Sequence, residues 1–288
     1  MKIRFIINPI SGTGKHKYIE KKIKNNLQFT YDIFYTEKQG DATKLSYKAI
    51  KENIDVIVAV GGDGTVNECA KALIGSKVGI GVIPCGSGNG FANHIGMSST
   101  ITKAIIQLNT SKFSLIDSCS VNGETFVNVS GIGFDAHIAN LFGKNKKRGL
   151  SNYMRIIIKE LFYSPQFYTI EYNNIKKKIK AYLIAFANAS QYGNNYTISP
   201  TAKIDDQLID FVIVKEFPLC KIPSLLLRLI TGRLYLSKYV EIIKSEKMVI
   251  NTNVKLIHLD GEPKKFESPI TIKSNPKSLK IFSPYEKR

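Results

Sequence analysis

Residues 57–68 read IVAVGGDGTVNE, from Ile57 to Glu68, and this stretch decides the fold. The segment Asp55 to Val60 is apolar on both faces, as a strand buried inside a parallel sheet is. It runs into Gly61-Gly62-Asp63-Gly64-Thr65, and helix-compatible residues follow from Val66 to Ile74. The order is strand, tight glycine turn, helix N-terminus. Glycines without a Cβ let the backbone approach a bulky anion, and the N–H groups of a helix start point at it. A carboxylate at Asp63, inside such a turn, has a purpose where a cation or a proton transfer needs it. Nucleotide phosphate with Mg²⁺ meets both demands.

Outward from this turn, strands alternate with short helices. Lys2 to Asn8 reads as a strand, Lys15 to Asn26 as a helix, Tyr31 to Thr36 as a strand and Ala42 to Asn53 as a helix. Val78 to Pro84 is the next strand, and helical turns at Phe91 to Gly96 and Thr102 to Asn109 follow. This alternation predicts a doubly wound α/β domain over residues 1–111. From residue 112 strands dominate: Phe113 to Val121, Glu124 to Ser130, Phe167 to Tyr172, Lys176 to Asn188, Leu208 to Val214, and four more between Lys247 and Phe282. Turn signals at Asn122-Gly123 and Asn173-Asn174 separate some of them. A second, mainly antiparallel domain over 112–278 is expected, with helices at Leu150 to Tyr163 and Ile222 to Tyr239.

Composition limits the function classes. In 288 residues the apolar share is 43 %, which excludes a disordered chain. No apolar run approaches the ~20 residues of a membrane span, and the opening MKIRFIINPISG reads as strand and turn, not as a signal peptide. Cys69, Cys85, Cys119 and Cys220 form no CxxC pair, so reduced thiols, no zinc and a cytoplasmic setting are expected. The net charge of +18 attracts polyanions, although lysine-rich compositional bias also produces it. Neither an RNP-like aromatic motif nor a helix-turn-helix is present, so a nucleic-acid partner is not expected.

Two further loops follow strands of the first half. One is Asn8-Pro9-Ile10-Ser11-Gly12-Thr13-Gly14-Lys15, which lacks P-loop spacing; the other is Pro84-Cys85-Gly86-Ser87-Gly88-Asn89-Gly90. Loops at the carboxyl ends of parallel strands gather at one sheet edge, where ligands bind.

With these loops, Gly131-Ile132-Gly133-Phe134-Asp135-Ala136 and Asp260-Gly261-Glu262, the sequence resembles the diacylglycerol kinase catalytic-domain family over nearly its whole length. That family includes soluble bacterial lipid kinases, sphingosine kinases and ceramide kinases. The resemblance implies an N-terminal phosphofructokinase-like α/β domain and a C-terminal NAD-kinase-like β-sandwich. It places ATP in the cleft between them, with the last strand, Leu279 to Ser283, returning to the first domain so that 279–288 belong there. It also implies Mg²⁺ as cofactor, a membrane lipid as substrate and transfer of the γ-phosphate to a lipid hydroxyl. A homodimer is left open.

Roles follow position by position. Asn8, Pro9, Ser11 and Gly12 would cradle phosphate or ribose, and Thr36 would lie beside the nucleotide. Gly61, Gly62, Gly64 and Thr65 would hold phosphate, with Gly86, Ser87, Gly88 and Asn89 from the third loop. Asn67 and Ser87 would add hydrogen bonds, unless with Glu68 they serve only as helix caps or turn residues. Asp63 would hold Mg²⁺ or orient the acceptor hydroxyl, and Glu262 is the candidate general base. Which of the two takes the proton stays open, and Asp260-Gly261 is also an ordinary hairpin turn. Asp135 would meet the acceptor headgroup or serve a structural hydrogen bond.

The stretch Pro200 to Leu208 resembles a loop that holds a structural Mg²⁺ in bacterial relatives, through Asp206 and the carbonyls of Lys203 and Leu208. Gln207 stands where the family carries glycine, which puts the loop geometry and the metal in question. Gly86-Ser87-Gly88-Asn89-Gly90 departs from the bacterial Gly-Thr-Gly-Asn-Asp towards sphingosine kinases. Diacylglycerol-like lipids remain first, with long-chain bases second. NAD kinase and a non-catalytic nucleotide-binding regulator are the other readings. Leu219 to Leu236 mixes apolar and basic residues, Lys144, Lys146, Lys147 and Arg148 make a second basic run, and Lys176 to Lys178 with Lys180 a third. Such segments suit peripheral contact with an anionic membrane; for 219–236 core packing is the competing reading.

Overall fold

The computed structural model describes residues 1–11, 18–144, 150–160, 162–194 and 196–285, with the backbone alone at 150, 151, 153 and 154. Gly12, the expected helix start at Lys15, and Lys146, Lys147 and Arg148 lie outside the described residues. The chain forms two compact units, Met1–Ser118 with Pro276–Arg288, and Cys119–Asn275. The sequence reading drew the line at 111 and 278.

Unit one is a parallel sheet in the order β4 (Gly79–Pro84), β3 (Val56–Gly61), β1 (Lys2–Ile7), β2 (Thr30–Tyr35). Every residue of β3 and β4 is buried, which is why both read as unbroken apolar runs. The helices are α1 (Ile19–Asn26), α2 (Asp41–Lys51), α3 (Asp63–Leu73), α4 (Gly90–His94) and α5 (Ile101–Leu108). α1 packs with α5 and α2 with α3. Ala42, Ser46 and Ala49 form a buried stripe of small side chains along α2. A charge sits inside this core: Arg4 of β1 is forked by Asp32 at 2.8 and 2.6 Å and paired with Glu52 at 2.7 Å. The Asp32 hydrogen bonds, with those of Glu52, outweigh burial and hold the guanidinium above its ordinary value.

β5 (Lys112–Val121) leaves unit one at Ser118, and β15 (Ile270–Ser283) brings the chain back from Pro276, with Ile281 beside Ile80 in parallel. Inside unit one, Lys277 donates its N–H to Asp117 at 2.7 Å and Ser118 donates to Ser278 Oγ at 3.0 Å.

Unit two is antiparallel throughout its registered pairs. Its elements are β6 (Glu124–Phe126), β7 (Val129–Gly133), α6 (Phe134–Lys144), α7 (Leu150–Lys159), β8 (Gln166–Tyr172) and β9 (Ile175–Ala187). Then follow β10 (Ile209–Lys215), α8 (Ile222–Ile230), β11 (Val240–Ser245), β12 (Lys247–Asn251), β13 (Leu256–Leu259) and β14 (Glu262–Lys265). The long β9 makes the β-sandwich. Its first half pairs with β8, and residues 183–187 lie between β7 and β10. The core contains Phe126, Tyr168, Phe186, Phe211 and Ile257, all fully buried. The expected turns are present as paired left-handed residues, Asn122 (φ 46) with Gly123 (φ 89) and Asn173 (φ 46) with Asn174 (φ 63).

Three expected elements differ. The strand 124–130 is two strands, because Asp260 takes the backbone N–H of Val127 and of Asn128, each at 2.9 Å, between them. The helix expected over 150–163 ends at Lys159. The one over 222–239 ends at Ile230, where Gly232 turns left-handed (φ 67), and a short 3-10 turn at Leu234–Leu236 leads on to β11.

Candidate functional site

In unit one the three loops form a single cradle. Gly62 caps α3 and offers the helix's first N–H groups no side-chain cap, and a helix start of this kind suits an anion. Gly61 has no room for a Cβ, because Thr65 packs on it. A Cβ on Gly86 would lie 2.5 Å from Gly62 Cα, so the second and third loops touch backbone to backbone. Asn89, itself left-handed (φ 56), clasps Gly86 from both sides: it accepts the Gly86 N–H at 2.9 Å and donates to the Gly86 carbonyl at 2.8 Å. The first loop joins through Asn8, whose Nδ2 donates to Thr65 Oγ1 at 3.2 Å and whose Oδ1 accepts the Ile10 N–H at 3.0 Å. Ser11 closes this turn on the Asn8 carbonyl at 3.2 Å, with Pro9 exposed within it. Thr36 follows β2, buried, and donates its N–H to the Ile7 carbonyl at 3.0 Å.

Asp63 is half-buried in the first turn of α3, where its Oδ1 accepts the Phe91 N–H at 3.4 Å. Gly64 beside it is half-buried and Asn67, one turn on, is buried. In the third loop Ser87 is exposed and Gly88 half-buried. Glu68 is a cap: its carboxylate accepts the N–H of Gly40 at 3.0 Å and of Ala42 at 3.2 Å, at the start of α2.

Unit two carries a second cluster. Asp135 is buried at the start of α6; its Oδ1 accepts the Ala136 N–H at 2.8 Å and its Oδ2 accepts the Tyr192 hydroxyl at 3.1 Å. His258 Nε2 lies 3.2 Å from the same Oδ2. Gly131 leaves no space for a Cβ against this carboxylate, which accounts for the Gly-x-Gly turn before it. Burial, with Asp135 adding its negative charge, raises the pKa of the Tyr163 hydroxyl.

Asp260 (φ 49) and Gly261 (φ 89) are the two left-handed residues of the hairpin between β13 and β14, and Glu262 opens β14, half-buried, opposite Leu259. The ordinary hairpin reading is therefore right for the local backbone, and Glu262 is what that hairpin presents. Sequence reasoning missed His258 and Tyr192. His258 stands two residues before Asp260, a signal that could have been used; Tyr192 lies 57 residues from Asp135 and had none.

The Asp206 loop keeps the left-handed turn of the expected metal site and brings a lysine to it. Gln207 adopts φ 69, so a glutamine holds the left-handed turn a glycine would favour. Positive charge is already there: Lys244 Nζ is 2.7 Å from Asp210 Oδ1 and 3.8 Å from Asp206 Oδ2, and donates to the Thr201 carbonyl at 2.9 Å. Asp206 Oδ1 accepts the Leu208 N–H at 3.1 Å. A divalent cation held by Asp206 and the carbonyls of Lys203 and Leu208 would meet this ammonium as like charge. That like charge opposes a structural Mg²⁺ at this loop. Among the described residues, no group of three or more His, Cys, Asp or Glu side chains forms a metal site. No described helix is long and apolar enough to cross a membrane.

Comparison with known proteins agrees with this fold. The family model for the diacylglycerol kinase catalytic domain matches residues 2–121, and that for the YegS C-terminal NAD kinase beta sandwich-like domain matches residues 128–283. The diacylglycerol kinase of Bacillus subtilis (strain 168) is 26 % identical over 276 residues, covering 90 % of this chain and 89 % of its own. A probable lipid kinase YegS-like of Klebsiella pneumoniae (strain 342) is 29 % identical over 243 residues, covering 79 % and 78 %. The crystal structure of a putative diacylglycerol kinase from Bacillus anthracis str. Sterne superposes with a TM-score of 0.81 at 25 % identity, covering 98 % of this chain and 97 % of that one.

Proposed function

The chain belongs to the lipid-kinase family that joins a diacylglycerol kinase catalytic domain to a YegS-type NAD-kinase-like β-sandwich, and we propose that it transfers the γ-phosphate of ATP to a lipid hydroxyl. The favoured acceptor is diacylglycerol or a related glycerolipid. The observation that carries this reading is the contact of Gly62 with Gly86, which merges two glycine loops and a helix N-terminus into one anion-binding cradle.

Phosphoryl transfer asks a protein for positioning and charge stabilisation more than for covalent chemistry. The loops Gly61 to Thr65 and Gly86 to Asn89 would supply the positioning through backbone N–H groups, while Asn8 to Ser11, whose own N–H groups are taken by Val60 and Asn8, would contribute side chains. Mg²⁺ would supply neutralisation of phosphate charge, and Asp63 is the carboxylate that would hold it. Glu262 takes the proton of the acceptor hydroxyl as that oxygen becomes a nucleophile. Asp135, held by Tyr192 and His258, is the carboxylate that would meet the acceptor's polar headgroup.

A sphingosine-type acceptor is the second reading, favoured by Ser87 and Gly90 in the third loop, where no aspartate adds its charge. The test is transfer of labelled γ-phosphate to diacylglycerol, monoacylglycerol, sphingosine-type bases, ceramide and NAD in anionic mixed micelles. Labelled diacylglycerol supports the first reading and a labelled long-chain base the second. Labelled NAD alone, or ATP binding with no lipid labelled, overturns both.

A further inference from the structure

The segment Phe217 to Val240 carries Lys221, Arg228, Arg233 and Lys238 and no aspartate or glutamate. Its apolar residues do not all turn inward. Leu225 and Leu234 are the ones buried, against the core that includes Val129 and Val212. Leu227 is 62 % exposed, Ile230 53 % and Leu236 56 %. α8 therefore uses one narrow edge for the core and turns a second aliphatic edge outward, with Leu227 and Ile230 one turn apart on it. Core packing, the competing reading of this segment, accounts for the inner edge alone.

The surface continues beyond the helix. Phe217 packs on Tyr182 with ring centroids 4.6 Å apart, and Lys180, next but one along β9, pairs with Glu216 at 2.9 Å. Lys178 and Lys180 flank the exposed ring of Phe167 at 5.1 and 5.8 Å. Aliphatic tips and aromatic rings are thus interleaved with ammonium and guanidinium groups on one stretch of unit two.

We propose that this face, centred on Leu227 and Ile230 of α8, docks the protein on an anionic bilayer. The aliphatic side chains enter the boundary between headgroups and acyl chains, and the cations meet lipid phosphates. Charge selects this occupant. A second copy placed by two-fold symmetry would set Arg228 and Arg233 near their own counterparts with no acid in the segment to answer them. Nucleic acid would satisfy the cations but leave leucine and isoleucine tips with nothing to bury against.

Binding is measured without ATP and without turnover, so this proposal and the kinase reading fail separately. The full chain is sedimented with vesicles of phosphatidylcholine alone and of phosphatidylcholine mixed with phosphatidylglycerol. The expected result is binding to the mixed vesicles only, weakening as salt rises. Leu227→Asp with Ile230→Asp should weaken it about tenfold or more, and Arg228→Gln with Arg233→Gln should also flatten its salt dependence. Cys220, the exposed cysteine of this segment, offers a direct probe should the aspartate pair impair folding. An environment-sensitive fluorophore on it should shift to the blue on the mixed vesicles. Binding that ignores both double variants, an unshifted probe on bound protein, equal binding to phosphatidylcholine, or no vesicle binding overturns the proposal. A dimer abolished by the aspartate pair would assign the face to self-association instead.

Discussion

His258 Nε2 lies 3.2 Å from Asp135 Oδ2, while its Nδ1 accepts the backbone N–H of Gly261 at 3.2 Å. A ring nitrogen that accepts an N–H carries no proton, so the imidazole proton is on Nε2 and is donated to Asp135. One side chain thereby ties the turn before Glu262 to the start of α6. His258→Phe leaves a buried carboxylate with one donor fewer and Gly261 without its acceptor. It should lower stability by about 1–3 kcal/mol in urea unfolding, and ¹H–¹⁵N spectra of the wild type should show the Nε2–H tautomer.

Asp63 and Glu262 are both half-buried on defined elements, the first turn of α3 and the start of β14. Neither substitution by its amide changes size. Asp63→Asn and Glu262→Gln should each lower kcat by about 10²–10⁴ with the thermal midpoint unmoved. Near-wild-type turnover in either variant would remove that residue from the mechanism.

The two glycine loops predict a graded response. A Cβ at residue 86 would sit 2.5 Å from Gly62 Cα, and one at residue 62 would sit 3.2 Å from Gly86 Cα. In both cases the obstacle is backbone, which yields less than a flexible side chain. Gly86→Ala should cost about 1–3 kcal/mol of stability and weaken ATP binding, with Gly62→Ala milder in stability. Calorimetric titration with a non-hydrolysable ATP analogue reads the affinity.

Lys244 predicts metal-independent folding of the 203–208 loop. The wild-type unfolding midpoint should not fall when EDTA is added. Lys244→Met leaves Asp210 buried beside Asp206 without its ammonium. It should cost about 1–3 kcal/mol, and added Mg²⁺ should restore part of the loss. A wild-type midpoint that drops on chelation would return the loop to the metal.

The thiols should separate cleanly. Cys69, Cys85 and Cys119 are buried and Cys220 is exposed. Burial pushes the Cys69 thiol up to about 12, which keeps it protonated and unreactive. A disulfide reagent should titrate Cys220 alone in the native protein, and all four cysteines once it is unfolded.

Much of the fold and part of the site could be read from residue order. Val56 to Gly61 and Gly79 to Pro84 announced themselves as buried parallel strands, because a strand covered on both faces has no polar alternation to interrupt it. Asn122-Gly123 and Asp260-Gly261 announced hairpins, because few other pairs tolerate two left-handed residues in succession. The glycine loops were legible for the same reason: local backbone geometry restricts which residues can stand there.

What the tertiary structure decided is which distant groups meet. That Asp260 would split a strand by taking the amides of Val127 and Asn128 depends on a contact across more than a hundred residues, and no local preference encodes it. The same holds for Tyr192 and His258 on Asp135 and for Lys244 taking the charge role expected of a metal. For α8, amphipathic spacing said that one side of the helix is apolar; only packing decided that Leu225 is covered and Leu227 is not. Local sequence sets backbone conformation through sterics and hydrogen-bonding capacity. Burial and side-chain partnership belong to the assembled chain, because they depend on what the other elements bring to the same place.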